Sequence, residues 1–281
     1  MRHLTTYRYS QPVELGEHRM MFRPRESHDL RLLQTHLEIV PRPASLRWLH
    51  DFFDNSVAAA TFDGATSELS FESRVTLEHF ETASPEYSIE DYAKTYPFTY
   101  SDDDFPNLSR ALIHRFASAN VDGWARQFLN PVGVTGTMSL LRAMTVGIRD
   151  HFRYVRRGEK GVQSPDETLE RRRGSCRDFA VLMMEAVRSL GLAARFVSGY
   201  IYTPGREVGG GSTHAWMQAY LPGAGWIDFD PTNSIVGNRN LIRVAVAWSP
   251  AQVLPLWGTY DGRADSSMDV AVSVTSGGLE G

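Results

Sequence analysis

Gly174-Ser175-Cys176-Arg177-Asp178-Phe179-Ala180 carries the one cysteine of the chain and stands at the head of a helical pattern. Apolar residues follow at Phe179, Ala180, Met183, Ala186, Val187 and Leu190, the i, i+3, i+4, i+7 spacing of a buried helical face, and Gly191 supplies the stop. Counting back along that face predicts Cys176 in the first turn, where unpaired N–H groups and the macrodipole favour a thiolate over a thiol. A lone cysteine also suits a small buried core position. The choice between these two readings rests on residues further along the chain.

Thr213-His214-Ala215-Trp216-Met217-Gln218-Ala219-Tyr220 and Gly225-Trp226-Ile227-Asp228-Phe229-Asp230 have strand character, and Pro222-Gly223-Ala224-Gly225 between them is a turn signal. A hairpin is therefore predicted. Pairing Tyr220 with Trp226 sets Trp216 opposite Asp230, with His214 diagonal to Asp230 on the same face. A carboxylate at that place holds an imidazole in one tautomer and stabilises its charged form. Cys176, His214 and Asp230 thus have the residue types of nucleophile, base and orienter. Asp228 lies on the same strand face and competes for the third role.

Together with Pro231-Thr232-Asn233, these three blocks resemble the signature blocks of bacterial transglutaminase-like proteins, in the family's order of Cys, His and Asp. The N-terminal portion is similar to the β-rich region that precedes the core in bacterial members, so the resemblance covers most of the chain. It implies an α+β fold whose papain-like core packs the Cys-bearing helix on an antiparallel sheet. Cys176 would be the nucleophile, His214 the base and Asp230 its partner. The expected division is a β-rich module over residues 1–82, a catalytic core over 83–262, and a C-terminal strand over 263–281 able to return to the first module. Where the family usually has an acidic segment, this chain has Ala247-Trp248-Ser249-Pro250-Ala251, which bears on the substrate groove.

Composition sets bounds on partners. The chain has 281 residues, 42% of them hydrophobic and 22% charged, as in ordinary globular proteins. A net charge of −4 gives no reason to expect nucleic acid or an anionic membrane as partner. A single cysteine excludes an internal disulfide and fits a reducing compartment. Met1 to Tyr9 lack the apolar core of a signal peptide, and no run approaches the length of a membrane span, so a cytoplasmic location is expected. The other histidines are scattered singly, and phosphate-loop and dinucleotide fingerprints are absent, so neither metal nor cofactor is expected. Asp102-Asp103-Asp104 lacks the spaced ligands and glycine of a calcium loop and reads as a solvated turn before a helix.

Elsewhere, Phe71, Ser73, Val75 and Leu77 alternate with polar residues as in a half-buried strand, and Leu37 and Ile39 do so less cleanly. Asp54-Asn55 and Asp63-Gly64 are turn signals, the second suited to a tight hairpin. Leu108, Ala111, Leu112, Arg115 and Phe116 make one helical face; Met138, Leu141, Met144, Thr145, Ile148 and Phe152 make another. Ser164-Pro165-Asp166-Glu167 has the form of a capping box. The helix it opens ends at Arg171-Arg172-Arg173, which either raise the potential near Cys176 or complement their own helix dipole. Strands are predicted at Ala194 to Tyr202, Leu241 to Val246 and Met268 to Val274. Gly209-Gly210-Gly211-Ser212, leading into His214, is either a gate or a plain connection. The backbone N–H of Cys176 is the one candidate oxyanion donor.

The expected activity is acyl transfer through a Cys176 thioester, on a peptide or carboxamide of a peptide or protein substrate. Water at about 55 M competes with any amine, and no acidic cluster marks an amine pocket, so hydrolysis is favoured over transfer. The alternatives are amine transfer of the transglutaminase type and a non-catalytic peptide-binding scaffold. Nothing in the sequence indicates the oligomeric state.

Overall fold

The computed structural model describes residues 1–80, 87–204 and 213–277, and the loop at Gly209 to Ser212 lies outside them. The first sheet is built around β1 (Arg2–Met20), a 19-residue strand. Its buried positions are odd-numbered at Val13 and Leu15 and even-numbered at His18 and Met20, the change of face that a β-bulge produces. Around it lie β2 (Leu30–Val40), β3 (Ser45–His50), β4 (Ser56–Thr61) and β5 (Ala65–His79), in the order β2-β5-β1-β4-β3. The chain reverses at Asp51 to Asn55, where β3 pairs with β4. It does not reverse at Asp63-Gly64, contrary to the hairpin expected there. β4 pairs antiparallel with His18 to Met20 and β5 with Arg2 to Glu14, so the two run in succession along one edge of β1. A strand as long as β1 has room for both, and the Asp-Gly turn becomes a break between collinear strands.

The core contributes β6 (Thr95–Tyr96), α1 (Asp104–Leu108), α2 (Ala119–Arg126), β7 (Thr135–Gly136), α3 (Thr137–His151), β8 (Arg153–Tyr154), α4 (Pro165–Arg171), β9 (Arg173–Gly174) and α5 (Cys176–Ser189). There follow β10 (Ala194–Ile201), β11 (His214–Leu221), β12 (Gly225–Asp230), β13 (Ile235–Val236) and β14 (Leu241–Ala247), which form an antiparallel sheet in the order β13-β12-β11-β10-β14. α5 packs on β10 and β11 and is enclosed by α2, α3 and α4. Twelve of its fourteen residues are buried, so it is a central helix and not the one-sided helix that its apolar spacing suggests. Glu185 and Arg188, both fully buried, make this possible by pairing at 2.7 Å.

That pair also overturns the helix expected through Leu108, Ala111, Leu112, Arg115 and Phe116. Glu185 Oε2 accepts the N–H groups of Arg115 (2.9 Å) and Phe116 (3.2 Å), and Arg188 Nε donates to the Ala111 carbonyl at 3.0 Å. These are backbone groups a longer helix would need for itself. The helix stops at Leu108, makes one 3₁₀ turn, and is extended by Ile113.

The chain then returns to the first sheet. β15 (Leu256–Asp261) and β16 (Ser266–Ser273) both pair with β1, on the edge opposite β4 and β5. The two sheets are tied together by polar contacts. Buried Asn55 donates to the Val246 carbonyl and accepts its N–H, each at 2.9 Å, which closes the edge strand β14. His3 on β1 meets the Tyr200 hydroxyl at 2.6 Å. Among the described residues no helix is long and apolar enough to cross a membrane.

Candidate active site

Cys176 is the first residue of α5, where its N–H has no intrahelical partner. Asp178 fixes the turn that presents it. This fully buried carboxylate accepts the N–H and the hydroxyl of Ser175, both at 2.8 Å, the Gln163 N–H at 2.7 Å, and Arg157 at 2.8 Å. One side chain thereby holds both the helix start and the strap leading from Arg157 to Gln163. The preceding Gly174 is required by space, since a Cβ there would lie 2.9 Å from the Asp178 Cβ. Asp178 is not among the site residues expected from the sequence, although Ser175-x-x-Asp178 has the spacing of the capping box it forms.

His214 opens β11, opposite Gly199 on β10. The β11–β12 hairpin has the expected register, Tyr220 against Trp226 and Met217 against Phe229. It brings His214 Nε2 to 2.7 Å from Asp230 Oδ2. Asp230 is fully buried and also accepts from Asn233 Nδ2 at 2.7 Å and the Thr232 N–H at 2.9 Å. The Cys176 sulfur acts on the same ring, adding to the upward pull on the imidazole. With Nε2 on Asp230, Nδ1 is the ring nitrogen left for the sulfur.

Burial opposes a charge on His214, but Asp230, reinforced by Cys176, outweighs it and raises the imidazole to about 10. Burial likewise opposes ionisation of Asp230, yet His214, Asn233 and Thr232 together hold its carboxyl below the usual range. The arrangement keeps a protonated imidazole between a sulfur and a carboxylate in a buried site. Chemically, it can hold a proton next to a nucleophilic sulfur and deliver it to a departing group. Trp216 stacks on His214 with ring centroids 5.8 Å apart and covers it.

Asp228, the competing carboxylate, is taken up elsewhere. It accepts from Trp216 Nε1 at 2.6 Å, Gln218 Nε2 at 2.8 Å and Arg243 Nη1 at 3.0 Å. Arg243 in turn reaches Asp29 at 2.6 Å, so Asp228 anchors the N-terminal region to the core. Because the Trp216 indole N–H is engaged there, it is not free to serve an oxyanion. Asn233 belongs to the third sequence block, but its bond to Asp230 was not foreseen. Of the three arginines ending α4, Arg171 pairs with Glu167 at 3.1 Å and Arg172 lies over the Phe152 ring at 5.7 Å. Arg157 is the arginine that reaches under the site, through Asp178. Among the described residues no group of His, Cys, Asp and Glu is placed to hold a metal ion.

Two stretches of the chain match known family models. Residues 1–78 match the bacterial transglutaminase-like N-terminal region, and residues 126–231 match the transglutaminase-like superfamily. An uncharacterised protein of Mycobacterium leprae is 28% identical over 97% of this chain and 96% of its own length. One from Mycobacterium tuberculosis is 29% identical over 97% of this chain and 90% of its own. A solved structure from Cytophaga hutchinsonii, described as a candidate cysteine protease, superposes with a TM-score of 0.71 at 20% identity, over 99% of this chain and 92% of that one. At that identity the likeness is one of fold.

Proposed function

We propose, from the premise that this chain belongs to the transglutaminase-like superfamily and carries its bacterial N-terminal region, that it is a cysteine-dependent acyl-transfer enzyme with Cys176, His214 and Asp230 as its triad. The observation that carries the reading is a buried His214 held by Asp230 at 2.7 Å, with Cys176 at the head of α5 acting on the same imidazole.

Cys176 Sγ, its proton resting on His214, attacks the carbonyl carbon of a peptide or carboxamide. A tetrahedral adduct forms, with the Cys176 N–H as one donor to its oxyanion. Collapse of the adduct breaks the C–N bond, and His214 gives its proton to the departing amine. The product is a thioester on Cys176. Water then attacks that carbonyl, His214 accepts the water proton, and the C–S bond breaks to release a carboxylic acid. Asp230 keeps the imidazole oriented and stabilises its charge throughout.

Hydrolysis is favoured over amine transfer because, among the described residues, the three buried carboxylates about the site are all engaged. Asp178 holds Ser175, Gln163 and Arg157; Asp228 holds Trp216, Gln218 and Arg243; Asp230 holds His214, Asn233 and Thr232. None of these three is left to bind the ammonium of an acceptor. The test offers a peptide acyl donor with and without millimolar primary amine and quantifies both products by mass. Mainly free acid is expected; amide formation that saturates with amine would show an acceptor site and replace hydrolysis with transfer.

A further inference from the structure

We propose that the mouth of the Cys176 site selects acyl donors with a carboxylate beside the scissile carbonyl, an acidic peptide, and that Arg156 and Arg177 make the selection. This rests on the reading of Cys176 as the nucleophile.

Between Arg153 and Arg177 the chain has eight Lys or Arg against four Asp or Glu, in a protein whose net charge is −4. The fold gathers part of this excess at the cysteine. β8 and β9 pair in parallel, with Tyr154 beside Gly174, and the Val155 N–H donates to the Gly174 carbonyl at 2.9 Å. Arg156 therefore leaves the pairing next to the turn that leads into Cys176. Arg177 follows Cys176 directly, and its guanidinium donates to the Glu159 carbonyl at 3.4 Å, so the segment carrying Arg156 arches over the helix start.

Arg156 and Arg177 stand uncompensated, unlike Arg157 and Arg171. Arg157 is neutralised by Asp178 at 2.8 Å and Glu159 at 3.4 Å, and Arg171 by Glu167. Among the described residues neither Arg156 nor Arg177 has an ion-pair partner. Tyr154 shows that they share one field with the sulfur. Burial raises its hydroxyl and so does Cys176, while Arg156 and Arg177 lower it. Charges at such separations act on a ligand without direct contact, since the screening length at physiological salt is about 8 Å. A carboxylate on the substrate would be drawn in and an ammonium repelled.

The test compares alkylation of Cys176 by iodoacetate, which is anionic, and iodoacetamide, which is neutral, in the wild type, Arg156→Gln, Arg177→Gln and the paired-arginine control Arg171→Gln. The ratio of the two rates cancels any change in thiol reactivity. It is expected to fall about threefold for each of Arg156→Gln and Arg177→Gln, to stay at the wild-type value in Arg171→Gln, and to fall in the wild type as salt rises. A ratio unmoved by both substitutions overturns the proposal, as does failure of either reagent to reach Cys176. A peptide pair differing only as Glu or Gln beside the scissile bond adds the catalytic readout. The wild type should favour Glu through KM, and both variants should lose that preference. If the alkylation ratio responds while neither peptide is cleaved, the proposed hydrolysis fails and the charge selection stands.

Discussion

Replacing Asp230 with Asn removes the charge that holds His214 protonated and leaves the shape of the site nearly unchanged. In the wild type Asp230 overcomes the effect of burial and keeps the imidazole at about 10. Without that charge, burial is opposed only by Cys176, and the value falls toward or below the ordinary 6.5. The expected loss in turnover is on the order of 10⁴, the size found when a triad carboxylate is neutralised. The sign follows from the direction of the shift. His214 has a raised value, so its charged form persists through neutral pH and is lost as pH rises through about 10. In Asp230→Asn that loss moves to near or below neutrality. The new amide must also turn its NH₂ toward the Thr232 N–H or toward Asn233 and His214, which adds about 1 to 3 kcal/mol of instability. The control is Asp228→Asn. Arg243 there loses one carboxylate but keeps Asp29, so stability falls by about 2 to 3 kcal/mol while turnover per folded molecule changes less than about tenfold. Steady-state kinetics across pH, with urea unfolding of each variant, separates the two effects. A larger loss of kcat in Asp228→Asn than in Asp230→Asn would refute the assignment of the third triad member.

Cys176→Ala should abolish turnover while costing less than about 1 kcal/mol, because a small side chain at a helix start contributes little to packing; turnover by the folded variant would remove Cys176 from its role. Gly199→Ala should destabilise the core by at least about 2 kcal/mol, since its Cβ would lie 2.2 Å from the Ile242 carbonyl oxygen and 2.8 Å from the Trp216 ring. Urea unfolding reads that loss, and an unchanged midpoint would contradict the tight passage of β10 between β14 and Trp216.

The geometry around His214 was legible because the determinants are local. Pro222 and Gly223 fix the turn, the turn fixes the register, and the register alone sets His214 diagonal to Asp230. The start of α5 was legible for a similar reason, since Ser175 and Gly191 bracket its apolar spacing. What stayed hidden depends on contacts distant in sequence. Glu185 and Arg188 look like solvent-facing residues on an amphipathic helix, yet they are buried and take backbone groups from Ala111, Arg115 and Phe116, some 70 residues away. Asp63-Gly64 has the chemistry of a hairpin turn; only the length of β1 turns it into a break between collinear strands. Asp178 is legible only in part, because its bond to Ser175 is local while those to Gln163 and Arg157 come from a strap 15 and 21 residues upstream.

Whether Cys176 carries the acyl group is read directly by acid-quenched mass mapping during turnover of a peptide substrate. The expected result is an acyl adduct on Cys176 that hydroxylamine removes, as it does a thioester, and that is missing in Cys176→Ala. Product formation with no adduct at Cys176, or with the acyl group on any other residue, would contradict it.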